Sequence, residues 1–258
     1  MTPIALAHEI AGVETAPPVL FGGSLGTTRA MWEPQVTVLS QHLRTIAYDH
    51  RGHGGSQVPA GPYEIAEMGS DVVTLLEKLG LEQVSYVGLS IGGMVGQWLA
   101  INHPERIQRL VLLATSAYLD PNGAFAERAA LVRGAGTPAV VADAVVQRWF
   151  TAHWIESHTQ AVGALRAMIA ATPAEGYAGC CEAISAYDLR DGLAKIVAPT
   201  LVIGGAQDPA IPPEHQKAIA AAVTGARLEV IEDAAHLLSI QHPETVNRMI
   251  AEHLGVEL

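Results

Sequence analysis

The chain has 258 residues, 49% of them hydrophobic and only 16% charged, with a formal net charge of −11. That apolar content suffices for one large packed core and excludes a disordered polypeptide. No basic stripe offsets the acidity, which argues against a nucleic-acid partner.

In chain order, Met1–Leu20 lacks the basic flank and long apolar run of a signal peptide. No run of 18 apolar residues reads as a membrane span, so no membrane association and a cytoplasmic setting are expected. Leu6–Ile10 reads as an antiparallel edge strand. Val19–Phe21 and Thr45–Tyr48 read as strands, and Ile65–Leu79 repeats its apolar positions at helical spacing before Gly80. Val84–Val87 is a further strand, with Met94–Ile101 on a helix that stops before Pro104. Leu110–Leu113, Thr200–Ile203 and Leu228–Ile231 complete the strands. Pro213–Val223 and Pro243–Leu254 read as helices opened by proline. Continuous apolar strands alternating with helices predict an α/β fold, a mostly parallel sheet covered on both faces.

The rhythm changes between Tyr118 and Gly192. Phe125–Arg133, Ala139–His153, Gln160–Ala170 and Tyr177–Ser185 are helix-like, with no strand between them. The expected organisation is a sheet core over 1–117 and 193–258 with a helical cap over 118–192. Cys180 and Cys181 are adjacent, which gives neither a C-x-x-C motif nor a disulfide framework.

The chemistry centres on Gly88-Leu89-Ser90-Ile91-Gly92, between an apolar strand and a helix. In that context G-x-S-x-G marks a nucleophile elbow, with Ser90 as nucleophile. A serine hydroxyl needs a histidine base and a carboxylate to orient it. Asp208, beyond Thr200–Ile203, and His236, beyond Leu228–Ile231, occupy the strand ends where acid and base are needed. Asp233 is a competing acid, but it lies close to His236 in sequence and suits a turn. An oxyanion hole needs two convergent backbone donors. These are assigned to the amide of Ile91 and that of Leu25, in the loop Gly22-Gly23-Ser24-Leu25-Gly26, where Ser24 is placed to touch substrate. Asp49 and Arg51, in Asp49-His50-Arg51-Gly52-His53-Gly54, are assigned to loop fixation. No histidine or cysteine cluster has metal-ligand spacing, and neither a P-loop nor G-x-G-x-x-G is present, so no metal and no cofactor are expected.

Together these loops resemble the α/β-hydrolase superfamily. Ser24-Leu25-Gly26, Met31-Trp32-Glu33-Pro34-Gln35, Gly88–Met94, Arg148-Trp149-Phe150-Thr151 and Asp188-Leu189-Arg190 are similar to 3-oxoadipate enol-lactonases. Two departures from that pattern are Gly23, where asparagine is common, and His50, where a small residue is common. The resemblance implies an inserted helical cap and a small anionic lactone or ester as substrate. A buried carboxylate requires a cation, and arginine suits the role. Arg148 is the leading candidate with Trp149 as an apolar wall. Arg133 is the second cation, and Trp154 and Trp32 are further candidate walls. Two other readings stay open: a carboxylesterase for small neutral esters, and a noncatalytic binding protein on a hydrolase fold. A homo-oligomer is compatible with all three.

Overall fold

A computed structural model describes residues 2–119 and 122–258. The apolar runs become β1 (His8–Ala11), β2 (Pro18–Gly22), β3 (Arg44–Tyr48), β4 (Val84–Leu89), β5 (Ile107–Leu113), β6 (Thr200–Gly205) and β7 (Arg227–Ile231). They form one sheet in the order β1-β3-β2-β4-β5-β6-β7. Only β1 runs antiparallel, pairing His8 with Tyr48 and Ala11 with Thr45; the others are parallel. The edge strand thus lies slightly later than Leu6–Ile10. β4 and β6 are buried throughout, as expected of central parallel strands.

The helices flanking the sheet are α1 (Glu33–Leu39), α2 (Ile65–Lys78), α3 (Ile91–Asn102), α9 (Pro213–Ala222), a short α10 (Leu238–Gln241) and α11 (Pro243–Leu254). α1 packs on α11, and α2 on α3. α2 starts with a reciprocal capping box between Glu64 and Glu67. α1 has no counterpart in the sequence reading, because its seven residues are too few for a helical period to stand out.

Between β5 and β6 the described residues form α4 (Ala124–Ala135), α5 (Ala139–Trp149), α6 (Ala152–Ser157), α7 (Thr159–Ala171) and α8 (Ala174–Ala186). The expected helix Ala139–His153 is therefore broken. Phe150 is extended, at φ −136° and ψ 159°. The break is held by distant partners: the Leu237 amide donates to the Trp149 carbonyl at 2.9 Å, and Gln241 Nε2 donates to Thr151 Oγ1 at 2.9 Å. Both anchors lie about ninety residues along the chain, beyond the reach of a local pattern.

The loop after β3 is buried and tied on every side. Asp49 accepts from the amides of Arg29 (2.6 Å) and Gly55 (2.9 Å), and pairs with the Arg29 guanidinium. Arg51 is held mainly by carboxylates, with one long bond to the Glu67 carbonyl at 3.4 Å. Its guanidinium makes a two-pronged contact with Asp71 of α2, at 2.7 and 2.9 Å, and a third bond to Glu67 at 3.0 Å. Arg51→Ala would leave Asp71 with an uncompensated charge in the interior. We expect a loss of about 3–5 kcal/mol, read from urea unfolding midpoints.

His50 and His53 belong to the same loop and are both buried. Desolvation lowers both imidazole pKa values, that of His50 to about 3. An unfolded histidine titrates near ~6.5. Between those values the unfolded chain binds a proton that folded His50 refuses, so stability falls as pH drops through this window. His50→Gln keeps an N–H donor and removes the titration. Between pH 7 and pH 5 it should lose about 2 kcal/mol less stability than the parent, measured by urea unfolding at both pH values.

Candidate active site

The C-terminal ends of the parallel strands converge on one edge of the sheet, the usual place for a site in such folds. At the end of β4 the chain reverses sharply. Ser90 sits at φ 58° and ψ −118°, a conformation that costs an L-residue energy and persists only when its surroundings enforce it. The Ser90 amide donates to the Leu113 carbonyl at 3.0 Å. Its carbonyl accepts from Thr115 Oγ1 at 2.7 Å and from the Met94 amide at 3.1 Å. α3 then starts at Ile91.

Gly92 explains the tightness of the turn. A Cβ there would strike the Gly22 carbonyl oxygen, and the Gly92 amide donates to the Gly23 carbonyl at 3.0 Å. Beneath it, Tyr86 O–H donates to the Gly92 carbonyl at 3.0 Å, and Tyr48 O–H meets Tyr86 at 2.8 Å. The elbow is thereby clamped to the loop after β2.

That loop has its own ties. The Ser24 amide faces Met31 Sδ at 3.3 Å, and the Gly26 amide donates to His53 Nε2 at 2.9 Å. His53 Nε2 is therefore unprotonated, and Nδ1–H donates to the Arg51 carbonyl at 3.2 Å. His50 Nε2 donates to the Gly23 carbonyl at 3.0 Å. The two departures from the enol-lactonase pattern, Gly23 and His50, thus meet in one hydrogen bond. Among the described residues, the amides of Leu25 and Ile91 have no acceptor. They are the pair assigned to the oxyanion hole.

Asp208 follows β6, and its carboxylate is divided between two tasks. Oδ1 accepts from the amides of Ala210 (2.8 Å) and Ile211 (3.0 Å). Oδ2 accepts from His236 Nδ1–H at 2.8 Å, which leaves Nε2 as the basic nitrogen. Asp208 and His236 are both buried, at 4% and 3% exposure, so the pair is shielded from water. Among the described residues no hydrogen bond or ion pair joins Asp233 to His236; Asp233 meets His242 instead.

Ser90 and His236 line one cavity of about 60 Å³, together with Ser24, Leu25, Arg148 and Trp149. One water requires roughly 10–15 Å³ on this measure, so the space suits a small ligand. Its apolar wall includes Leu119, Phe125, Val145, Ile184 and Ile211. A hydroxyl, a basic imidazole oriented by a carboxylate, and two amides without acceptors can carry out nucleophilic acyl transfer. Among the described residues no three His, Cys, Asp or Glu side chains gather as a metal-binding group.

Three assignments need correction. Arg133 lies outside the cavity, exposed on α4. Its guanidinium is held by Glu175 (2.8 and 3.1 Å) and Glu182 (2.7 and 3.0 Å). Trp154 is also outside. It stacks between Phe150 and His158, with ring centroids at 3.9 and 4.4 Å, beside a separate depression with Gln207 and Asp233. Trp32 is core, packed 5.2 Å from Phe21. The cavity instead contains Arg128 and Tyr177, which sequence reasoning did not assign. A signal for Arg128 was present. Phe125, Arg128, Ala129 and Val132 fall at i, i+3, i+4 and i+7, but Arg133 at i+8 fits the same template, so the pattern does not separate the two arginines.

A family profile described as alpha/beta hydrolase fold matches residues 17–243. The chain is 39% identical over 248 residues to 3-oxoadipate enol-lactonase 2 of Acinetobacter baylyi, covering 96% of this chain and 92% of that protein. Among solved structures, a hydrolase from Pseudomonas aeruginosa PA01 superposes with a TM-score of 0.95 at 41% identity, covering 98% of this chain and 95% of the other. The enol-lactonase from Burkholderia xenovorans LB400 superposes with a TM-score of 0.95 at 38% identity, covering 98% and 100%. A strained serine at the end of a central parallel strand, the late Asp–His pair and the near end-to-end similarity make this chain a member of the alpha/beta hydrolase fold family, equipped for serine-type hydrolysis.

Proposed function

We propose that this protein hydrolyses a small carboxylated enol-lactone, 3-oxoadipate enol-lactone, to 3-oxoadipate in the cytoplasm. The observation that carries the carboxylate is Arg148. It lines the same cavity as Ser90 and His236 and has no carboxylate partner among the described residues. Burial, with the nearby charge of Arg128, lowers its pKa, the direction expected of a cation lacking a counter-ion. Relatives named as 3-oxoadipate enol-lactonases, aligned over nearly the whole chain, support the choice of acid.

In this reading Ser90 Oγ attacks the ring carbonyl while His236 Nε2 takes its proton. Asp208 holds the imidazole tautomer and stabilises the imidazolium. The Leu25 and Ile91 amides donate to the developing oxyanion. Collapse breaks the ring C–O bond, and the released enolate stays tethered to the acyl chain. It takes the proton from His236 and tautomerises to a ketone. An enolate leaves more readily than an alkoxide, so the site needs little extra acid assistance. Water, deprotonated by His236, then attacks the acyl carbon and frees Ser90. Trp149 and the aliphatic wall would hold the ring while Arg148 holds the carboxylate.

Steady-state hydrolysis of freshly generated 3-oxoadipate enol-lactone tests this reading against p-nitrophenyl acetate, a neutral ester. The expected result is a kcat/KM for the lactone well above that for the ester. Ser90→Ala should lower both by about 10³-fold or more. Good ester turnover with negligible lactone turnover would replace this reading by the neutral-ester one. No Ser90-dependent turnover of either would favour a binding protein.

A further inference from the structure

We propose that Arg128, Arg148 and the Tyr177 hydroxyl form one anion subsite, built from three helices, that holds a carboxylate distant from the reacting carbonyl. This deepens the proposed function and rests on its carboxylated substrate. All three residues line the cavity that contains Ser90 and His236. Arg128 comes from α4, Arg148 from α5 and Tyr177 from α8.

The helical insertion treats its arginines in two ways. Arg133 pairs with Glu175 and Glu182, Arg166 pairs with Asp143 at 2.7 Å, and Arg190, just past α8, pairs with Asp188 at 2.6 Å. Arg133 and Arg190 are exposed and Arg166 is half-buried, and each has its carboxylate. Arg128 and Arg148 are half-buried too, but among the described residues neither has an acidic partner. Two guanidiniums lining one partly dry cavity repel, and each bears the cost of lost hydration. In a protein of net charge −11, leaving these two without acids is a local exception.

Tyr177 adds an independent sign. Its side chain is fully buried; the Arg128 guanidinium lies beside its oxygen, yet its O–H finds no acceptor among the described residues. Buried tyrosines ordinarily satisfy that group, as Tyr48, Tyr86 and Tyr187 do here. Burial raises the Tyr177 pKa, while the charges of Arg128 and Arg148 oppose the rise; the hydroxyl stays a donor at neutral pH. The Phe125 ring, 4.6 Å from the Arg128 guanidinium carbon, supports that group from one side. A carboxylate has about four acceptor positions on two oxygens. It can pair with both guanidiniums, offsetting one of their two charges, and accept the phenol's hydrogen bond at once.

The product of the proposed reaction keeps this carboxylate and gains a second at Ser90. A six-carbon dicarboxylate is therefore a ligand for the whole cavity. Adipate, which cannot be hydrolysed, is titrated calorimetrically into the parent protein, with its neutral diamide as control. We expect adipate to bind and the diamide not to. Arg128→Gln and Arg148→Gln should each weaken adipate by about tenfold or more, and Tyr177→Phe by about threefold. Arg128→Lys should recover only part of the affinity, because the planar fork is lost. Arg133→Gln removes the same charge from the same helix outside the cavity, and should stay within about twofold of the parent. Full affinity in Arg128→Gln, with loss only in Arg148→Gln, would overturn the shared subsite while leaving a single-arginine anchor in place. Absence of adipate binding to the parent would overturn it too. Because the readout needs no turnover, a subsite that binds adipate in a protein inert toward the lactone would fault the proposed reaction alone.

Discussion

The site depends on one close approach between two backbones. The Gly92 peptide lies against Gly22 and Gly23, joined by the Gly92 amide to the Gly23 carbonyl at 3.0 Å. Only glycine permits this, since a Cβ at position 92 would overlap the Gly22 carbonyl oxygen. The approach couples the start of α3 to the loop after β2. It therefore sets the separation between the Ile91 and Leu25 amides, the proposed oxyanion donors. The buried Tyr48–Tyr86 pair makes the arrangement specific by capping the Gly92 carbonyl from below. Polar groups so deep in the core are tolerated because each is satisfied.

The parallel sheet supplies the rest by placing loop after loop on one edge. β4 presents Ser90, β6 leads to Asp208 and β7 to His236. The three residues are scattered over more than half of the chain, yet each is positioned by a strand end. The Asp208 carboxylate is held before it meets the imidazole, with one oxygen committed to the amides of Ala210 and Ile211. The other oxygen then meets His236 in a defined direction, which selects the tautomer. Preorganisation of this kind removes reorganisation from the chemical step.

The helical insertion makes a different contribution. Its outer arginines are paired with carboxylates, while among the described residues its cavity-facing arginines have none. The same chain that is acidic overall thereby presents local positive charge above Ser90. α8 also reaches the core directly, because Gly176 meets Gly52 backbone to backbone. The loop holding Asp49, His50, Arg51 and His53 thus touches both the proposed oxyanion loop and the insertion. Packing and site geometry share residues here, so changes in that loop bear on both.

Much of this was legible in the sequence. Fully apolar β4 and β6, G-x-S-x-G at a strand–helix junction, and an acid and histidine after later strands depend on local chemistry that leaves a local pattern. The α/β architecture and its helical insertion follow from those same patterns. What the sequence left open depends on which face of an element turns inward. Arg128 and Arg133 lie five residues apart on one helix, so they point in different directions; tertiary packing decided that Arg128 enters the cavity and Arg133 meets Glu175 and Glu182. The break at Phe150 was equally hidden, because the bonds that hold it come from Leu237 and Gln241. Sequence determines which groups a chain can offer, but the direction of a helical side chain is settled by what lies across from it.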